Sequence, residues 1–102
     1  MEILKPYRKR IDTLDDKIVD LLIERVGIIH DVADIKFQEN IPAILPDRVD
    51  EVRERAAARA AEKGIDPDLV RQLYTILINY SCDLEETIMT KKSAEDKNSS
   101  HA

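Results

Sequence analysis

One long amphipathic stretch, from Ile3 to Gln38, constrains the fold of this chain more than any other feature. Its apolar residues recur at alternating spacings of three and four, which marks one face of a helix. A helix of that length spans about 50 Å, whereas a compact domain of this size has a radius of gyration of about 13 Å. The rest of the chain is too short to cover it, so we expect a second copy to bury the remainder in a homodimer. The face comprises Leu4, Tyr7, Ile11, Leu14, Ile18, Leu21, Ile28, Val32 and Ile35.

Arg25 interrupts this apolar face. Four residues after Leu21 the repeat requires a hydrophobic side chain, and a cation stands there instead. Burying a guanidinium without a partner is costly, because its charge loses hydration that nothing replaces. We therefore expect a carboxylate to meet Arg25, supplied either by the protein or by a bound anion.

Composition favours an all-α domain. Of 102 residues, 43% are apolar, which supports a core, and 36% are charged, which suits helices with wide solvent-exposed faces. Two glycines, four prolines and one phenylalanine leave little for strands or hairpins. The chain therefore reads as a small helical domain.

Turn residues divide the chain into three helices. Pro42 ends the first, because a residue before proline is forced out of the helical region. A second helix is predicted over 46 to about 63 and a third over 67 to about 89, each opened by a proline. Beyond them the sequence is polar and aperiodic, so a helical domain over 1–90 is expected to precede a disordered tail over 91–102.

Several functional classes fit this sequence poorly. Sixteen basic against twenty-one acidic side chains give a net charge of −5, which argues against nucleic-acid binding. No apolar run reaches the roughly 18 residues of a membrane span, and the N-terminus does not resemble a secretion signal. A lone Cys82 and two unrelated histidines support neither a disulfide framework nor a metal site. We expect a cytoplasmic protein without a cofactor or bound metal.

Spacing brings several polar side chains together. Arg25 and Lys36 are eleven residues apart, within about 20° of one helix face and about 16 Å along it, so a small anion fits between them. Arg8 lies about 25 Å before Arg25 and reaches such a ligand only from an antiparallel dimer mate. Ser81 and Glu85, spaced i, i+4, are predicted at the margin of the buried face of the third helix.

A purely structural role stays open for each of these polar residues, and it is weakest for Arg25, because a buried arginine is rare without a reason. Arg8 reads as a solvated cation, and Lys36 as a side chain whose ammonium extends to solvent at a helix end. Arg48 opens the second helix and can pair with a neighbouring carboxylate. Ser81 can bond its own helix backbone, and Glu85 can form an ion pair at the rim.

The chain nevertheless resembles the all-α class of chorismate mutases over residues 4 to about 88. The resemblance implies three helices per chain, intertwined in a homodimer with two shared active sites. It is carried by Tyr7-Arg8-Lys9-Arg10-Ile11-Asp12-Thr13-Leu14-Asp15, Leu21-Leu22-Ile23-Glu24-Arg25, Ile35-Lys36, Pro42 and Pro46-Asp47-Arg48.

Site roles also follow from this resemblance. Chorismate carries two carboxylates and rearranges to prephenate, a step of aromatic amino-acid biosynthesis, in one pericyclic reaction that needs no nucleophile or cofactor. An enzyme has to fold the substrate and stabilise charge on its ether oxygen. By resemblance, Arg25, Arg48 and Arg8 of the partner subunit hold the carboxylates. Lys36 bonds the ether oxygen, and Ser81 and Glu85 occupy the family's polar positions in the third helix.

The sequence departs from the family at three positions. Glu85 stands where the family commonly has glutamine, and an ionised carboxylate there would repel charge on the ether oxygen. Glu85 helps only when protonated, so we expect activity to fall as pH rises. Leu45 and Val49, predicted to line the pocket, replace carboxylates that the family tends to place near the ring hydroxyl of the substrate.

These departures keep other functions open. A related enzyme, isochorismate-pyruvate lyase, shares the fold and the cations and releases pyruvate from isochorismate to give salicylate. A mutase acting on the 4-amino analogue of chorismate is a further alternative. A non-catalytic helical dimer that presents acidic faces to partner proteins belongs to another class. We favour the mutase, because it is the commoner activity of this fold.

Overall fold

The computed structural model describes residues 2–99, which form three α-helices and no strand. Helix α1 comprises Lys5–Gln38, α2 Pro46–Glu62 and α3 Pro67–Ser99. The all-α prediction is confirmed, and α1 begins two residues later than predicted, with its proline in the first turn. Within the described residues, none of the helices has a stretch long and apolar enough to cross a membrane.

Helix α3 is the structural centre of the chain. It packs against both α1 and α2, whereas no Cα atom of α1 lies within 8 Å of one in α2. The hydrophobic side chains that are fully buried are small, apart from one isoleucine, so α3 approaches its neighbours closely. The open space between α1 and α2 is the consequence that matters for function. The buried apolar residues are Ala33, Ala57, Ala60 and Ile78.

The first half of α1 has little contact with the rest of its own chain. Every residue from 2 to 21 is exposed, including the apolar side chains of Tyr7, Ile11 and Leu14, which are 59%, 56% and 56% exposed. The radius of gyration is 18.5 Å, against about 13 Å for a compact domain of this length. An exposed apolar surface of this size indicates that another protein surface packs against it. The homodimer inferred from the sequence remains the prediction that explains it.

The same backbone turn ends α1 and α2. Asn40 follows α1 with φ 57°, and Gly64 follows α2 with φ 78°, both in the left-handed region. After each, the next amide returns to the last helical turn: Ile41 N donates to Lys36 O at 2.8 Å, and Ile65 N to Ala60 O at 2.9 Å. These bonds satisfy carbonyls that a helix end otherwise leaves free.

Helix α3 is longer than the sequence predicted. Its end was placed near residue 89, with disorder over 91–102, but the helix continues through Ser99, and residues 100–102 lie outside the described part. The extension packs beside the end of α1, where Lys92 Nζ lies 3.2 Å from Asp34 Oδ1. These tertiary contacts stabilise a polar helix that periodicity alone does not reveal. The domain boundary at residue 90 stays a prediction.

The start of α3 offers a test of the fold. Asp66 Oδ1 accepts a hydrogen bond from Asp68 N at 2.9 Å, so Asp66 is the N-cap. We expect Asp66→Ala to lower the free energy of unfolding by about 1 kcal/mol. Urea denaturation at fixed protein concentration measures this change. Asp66→Asn retains the acceptor and serves as the control; equal stability of all three proteins would contradict the assignment.

Candidate functional site

A cavity of about 320 Å³ occupies the space between α1 and α2. Helix α3 forms its floor, and the loop after α1 closes one end. This volume suits a small organic ligand. The polar residues of its wall include five predicted from the sequence: Arg25, Lys36, Arg48, Ser81 and Glu85.

Arg25 enters the cavity from the middle of α1, at the position that interrupts the apolar repeat. Its Nη1 donates to Ser81 Oγ at 2.6 Å, and Ser81 Oγ in turn donates to Leu77 O at 2.9 Å. The sequence predicted a carboxylate partner, but within residues 2–99 no carboxylate oxygen lies within ion-pair distance of Arg25. The half-buried positive charge is therefore met by a neutral hydroxyl alone, and it favours an anionic ligand.

Lys36 lies in the last turn of α1 and forms a buried ion pair. Its Nζ is 2.7 Å from Glu85 Oε1, with side-chain exposures of 15% and 6%, and it also donates to Ala43 O at 2.8 Å. The contact with Glu85 lacks the geometry of a hydrogen bond, so among the described residues Oε1 accepts none. Lys36 and Glu85 both line the cavity, so this ion pair stands beside the space that a ligand can fill.

Two polar residues of α3 are more deeply buried than predicted. Ser81 and Glu85 were placed at the margin of the apolar face, yet each is only 5% exposed. The reason is that α3 is covered on two sides, by α1 and by α2. The buried face of α3 carries Ile78 beside Ser81 and Glu85, whereas the larger apolar surface at Leu73 and Ile76 is exposed, so the apolar pattern did not identify the face that this chain buries.

The remaining two cations occupy different places. Arg48 lines the cavity from the first turn of α2, but in this structure its guanidinium pairs with exposed Glu51 and is 58% exposed. Arg8 lies on the exposed first half of α1, beside Lys5 and Asp12, and is absent from the cavity wall of its own chain. The chain therefore brings Arg25, Lys36 and Arg48 together and leaves Arg8 apart.

The α2 side of the cavity is largely apolar. Leu45, Val49 and Val52 form it, so the two aliphatic residues singled out in the sequence do line the pocket. Cys82 on the floor was not predicted as a wall residue, although it follows Ser81 directly. Burial, and then the negative charge of Glu85, raise the pKa of the Cys82 thiol. The thiol is therefore neutral at physiological pH.

A sequence profile described as chorismate mutase type II matches residues 7–86 of the chain. That match covers α2, nearly all of α1, the larger part of α3 and every wall residue of the cavity. The chain belongs to the chorismate mutase type II family.

Three proteins similar to this chain over most of its length carry two different names. A 4-amino-4-deoxychorismate mutase of Streptomyces venezuelae is 32% identical over 92% of this chain and 93% of its own length. A protein of the same name from Streptomyces pristinaespiralis is 34% identical over 81% of this chain and 64% of its own length. A chorismate mutase of Methanocaldococcus jannaschii is 31% identical over 95% and 98%. The chain is thus similar to mutases named for two different substrates.

The rate at which the Cys82 thiol is alkylated tests how the cavity floor shields it. Because its pKa is raised and only the thiolate reacts, we expect iodoacetamide at pH 7.5 to alkylate it more slowly than in the urea-unfolded chain. Glu85→Gln removes one cause of the raised pKa, so alkylation accelerates. Mass spectrometry follows the rate at this single cysteine. Equal rates in folded and unfolded chains would show that the thiol is not buried.

Proposed function

We propose that this chain catalyses the rearrangement of chorismate to prephenate in the cavity between α1 and α2. The observation that carries the proposal is Arg25, a half-buried cation without a carboxylate partner among the described residues. It faces a space shared with Lys36 and Arg48. Such a site favours a small dianion, and chorismate carries two carboxylates.

Positioning and electrostatics account for the chemistry. The arginine forks grip carboxylates and hold the enolpyruvyl group over the ring, which lowers the entropic part of the barrier. As the carbon–oxygen bond breaks and the carbon–carbon bond forms, negative charge grows on the ether oxygen, where the Lys36 ammonium stabilises it. Lys36 is already held beside Glu85 and Ala43 before a substrate binds. Glu85, whose Oε1 lies 2.7 Å from that ammonium, belongs to the proposed site.

The 4-amino analogue of chorismate is a second candidate substrate. Two Streptomyces relatives are named 4-amino-4-deoxychorismate mutase. The α2 wall at Leu45 and Val49 has no polar side chain to bond a ring hydroxyl. Turnover of chorismate, 4-amino-4-deoxychorismate and isochorismate by the purified protein distinguishes the two mutases from the lyase, whose product is salicylate.

We also propose an intertwined homodimer, acting in the cytoplasm, in which each site takes Arg8 from the partner subunit. The exposed apolar half of α1 supports the dimer, because only another chain can cover so long a helix. Further support for the crossed arrangement comes from Arg8, which lies on that half of α1, away from the cavity of its own chain.

Substitution of Arg25 tests the substrate site. Arg25→Lys keeps the charge but loses the bidentate fork, so kcat/KM is expected to fall about a hundredfold, equivalent to about 2.7 kcal/mol. Steady-state kinetics and a thermal melt separate this loss from unfolding. Arg55→Ala, which removes an exposed cation of α2, is the control and leaves kcat/KM unchanged. Full activity of Arg25→Lys would refute the proposed role.

Mixing two inactive variants tests the shared site. Arg8→Ala and Lys36→Ala each damage both sites of their own homodimer. After unfolding and refolding together in equal amounts, half of the dimers are mixed and contain one intact site, so about one quarter of wild-type activity returns. Each variant refolded alone is the control. If activity does not return on mixing, Arg8 does not act across the dimer.

A further inference from the structure

The loop between α1 and α2 is bonded to Lys36 at two points. Lys36 Nζ donates to Ala43 O at 2.8 Å, and Ile41 N donates to the backbone carbonyl of Lys36 at 2.8 Å. The second bond depends on Asn40, whose φ of 57° turns the chain back toward the last turn of α1. The conformation of Asn40 therefore sets the path along which the loop carries the Ala43 carbonyl to the ammonium.

We propose that Asn40 is a positioning residue for the reaction: its left-handed backbone places the Ala43 carbonyl, and that carbonyl holds the Lys36 ammonium in the cavity. This inference rests on the proposed function, in which Lys36 meets the ether oxygen. Asparagine suits the position because, of the residues with a side chain, it is among those that most readily adopt this conformation.

The carbonyl has a specific task in this arrangement. Lysine carries its charge at the end of a long flexible stem, so a single contact leaves the ammonium free to move. If Glu85 were its only partner, the Lys36 ammonium would move whenever the Glu85 carboxylate moved. The Ala43 carbonyl supplies a second, neutral anchor on a different segment of the chain. Two anchors fix a point in the cavity, and misplacing a catalytic group by about 1 Å can cost up to about a hundredfold in rate.

The chain contains a matched control for this proposal. Gly64 ends α2 with the same left-handed turn, at φ 78°, and the same pair of returning amide bonds. It is absent from the cavity wall, and a methyl group added there would meet no atom within 4 Å. Asn40→Ala and Gly64→Ala therefore each place alanine in the left-handed conformation, and only the first lies beside the catalytic lysine.

The experiment compares Asn40→Ala, Asn40→Gly and Gly64→Ala with the wild-type enzyme. Both alanine variants are expected to lower the melting temperature, because alanine resists the left-handed conformation. Only Asn40→Ala lowers kcat, by about tenfold, with little change in KM because the arginines still hold the substrate. Asn40→Gly, which adopts the turn freely, restores kcat.

Two results would overturn the proposal. One is an unchanged kcat in Asn40→Ala; the other is an equal loss of kcat in Asn40→Ala and Gly64→Ala, which would reflect general destabilisation. Crystal structures of the variants give a readout that needs no activity. The Lys36–Ala43 contact should be lost in Asn40→Ala and kept in Gly64→Ala. If the wild-type protein turns over no substrate, the proposed function fails, while a contact retained in Asn40→Ala overturns the positioning role by itself.

Discussion

The placement of cationic side chains between packed helices is the constraint around which this structure is arranged. Arg25 and Lys36 occupy the inner face of α1, where neighbouring positions carry isoleucine and valine. Each needs a polar partner to leave water, and α3 provides one to each: Ser81 to Arg25 and Glu85 to Lys36. The partners are unequal. Lys36 is neutralised by a carboxylate, whereas Arg25 keeps a net charge that only a ligand can compensate.

The separation of α1 from α2 turns these side chains into a site. If the two outer helices touched, the same residues would form a closed polar core. Instead each packs only on α3, and small residues such as Ala57 and Ala60 bring α2 close to that floor. The space above the floor stays open, with Arg25 and Lys36 on the α1 side and Arg48 among aliphatic residues on the α2 side. The shape of the cavity thus follows from helix packing, and its chemistry from a few exceptions to the apolar pattern.

Much of the fold follows from local sequence signals. The repeat of α1, the prolines that open α2 and α3, and the breaks at Pro42 and Gly64 depend on neighbouring residues alone, so they predict the helices well. The end of α3 does not follow from them, because its polar last turns depend on contacts with the distant end of α1, including Lys92 with Asp34.

The sequence likewise predicts one part of the site and not the other. Helical spacing places Arg25 and Lys36 on one face, and the structure brings both to one cavity. The neutral partner of Arg25 and the full burial of Ser81 and Glu85 depend on which helices pack against α3, which no spacing rule reports. The Ala43 carbonyl is a backbone group, so residue type carries no sign of its contact with Lys36.

The solvent exposure of the first half of α1 affects how the protein folds into its active form. A helix of some twenty residues with little tertiary contact is marginally stable in water, so its order depends on what covers it. In the homodimer that we propose, a second chain provides that cover, so dilution both frays this segment and withdraws Arg8 from the neighbouring cavity. Under that proposal, activity depends on the concentration of the protein itself.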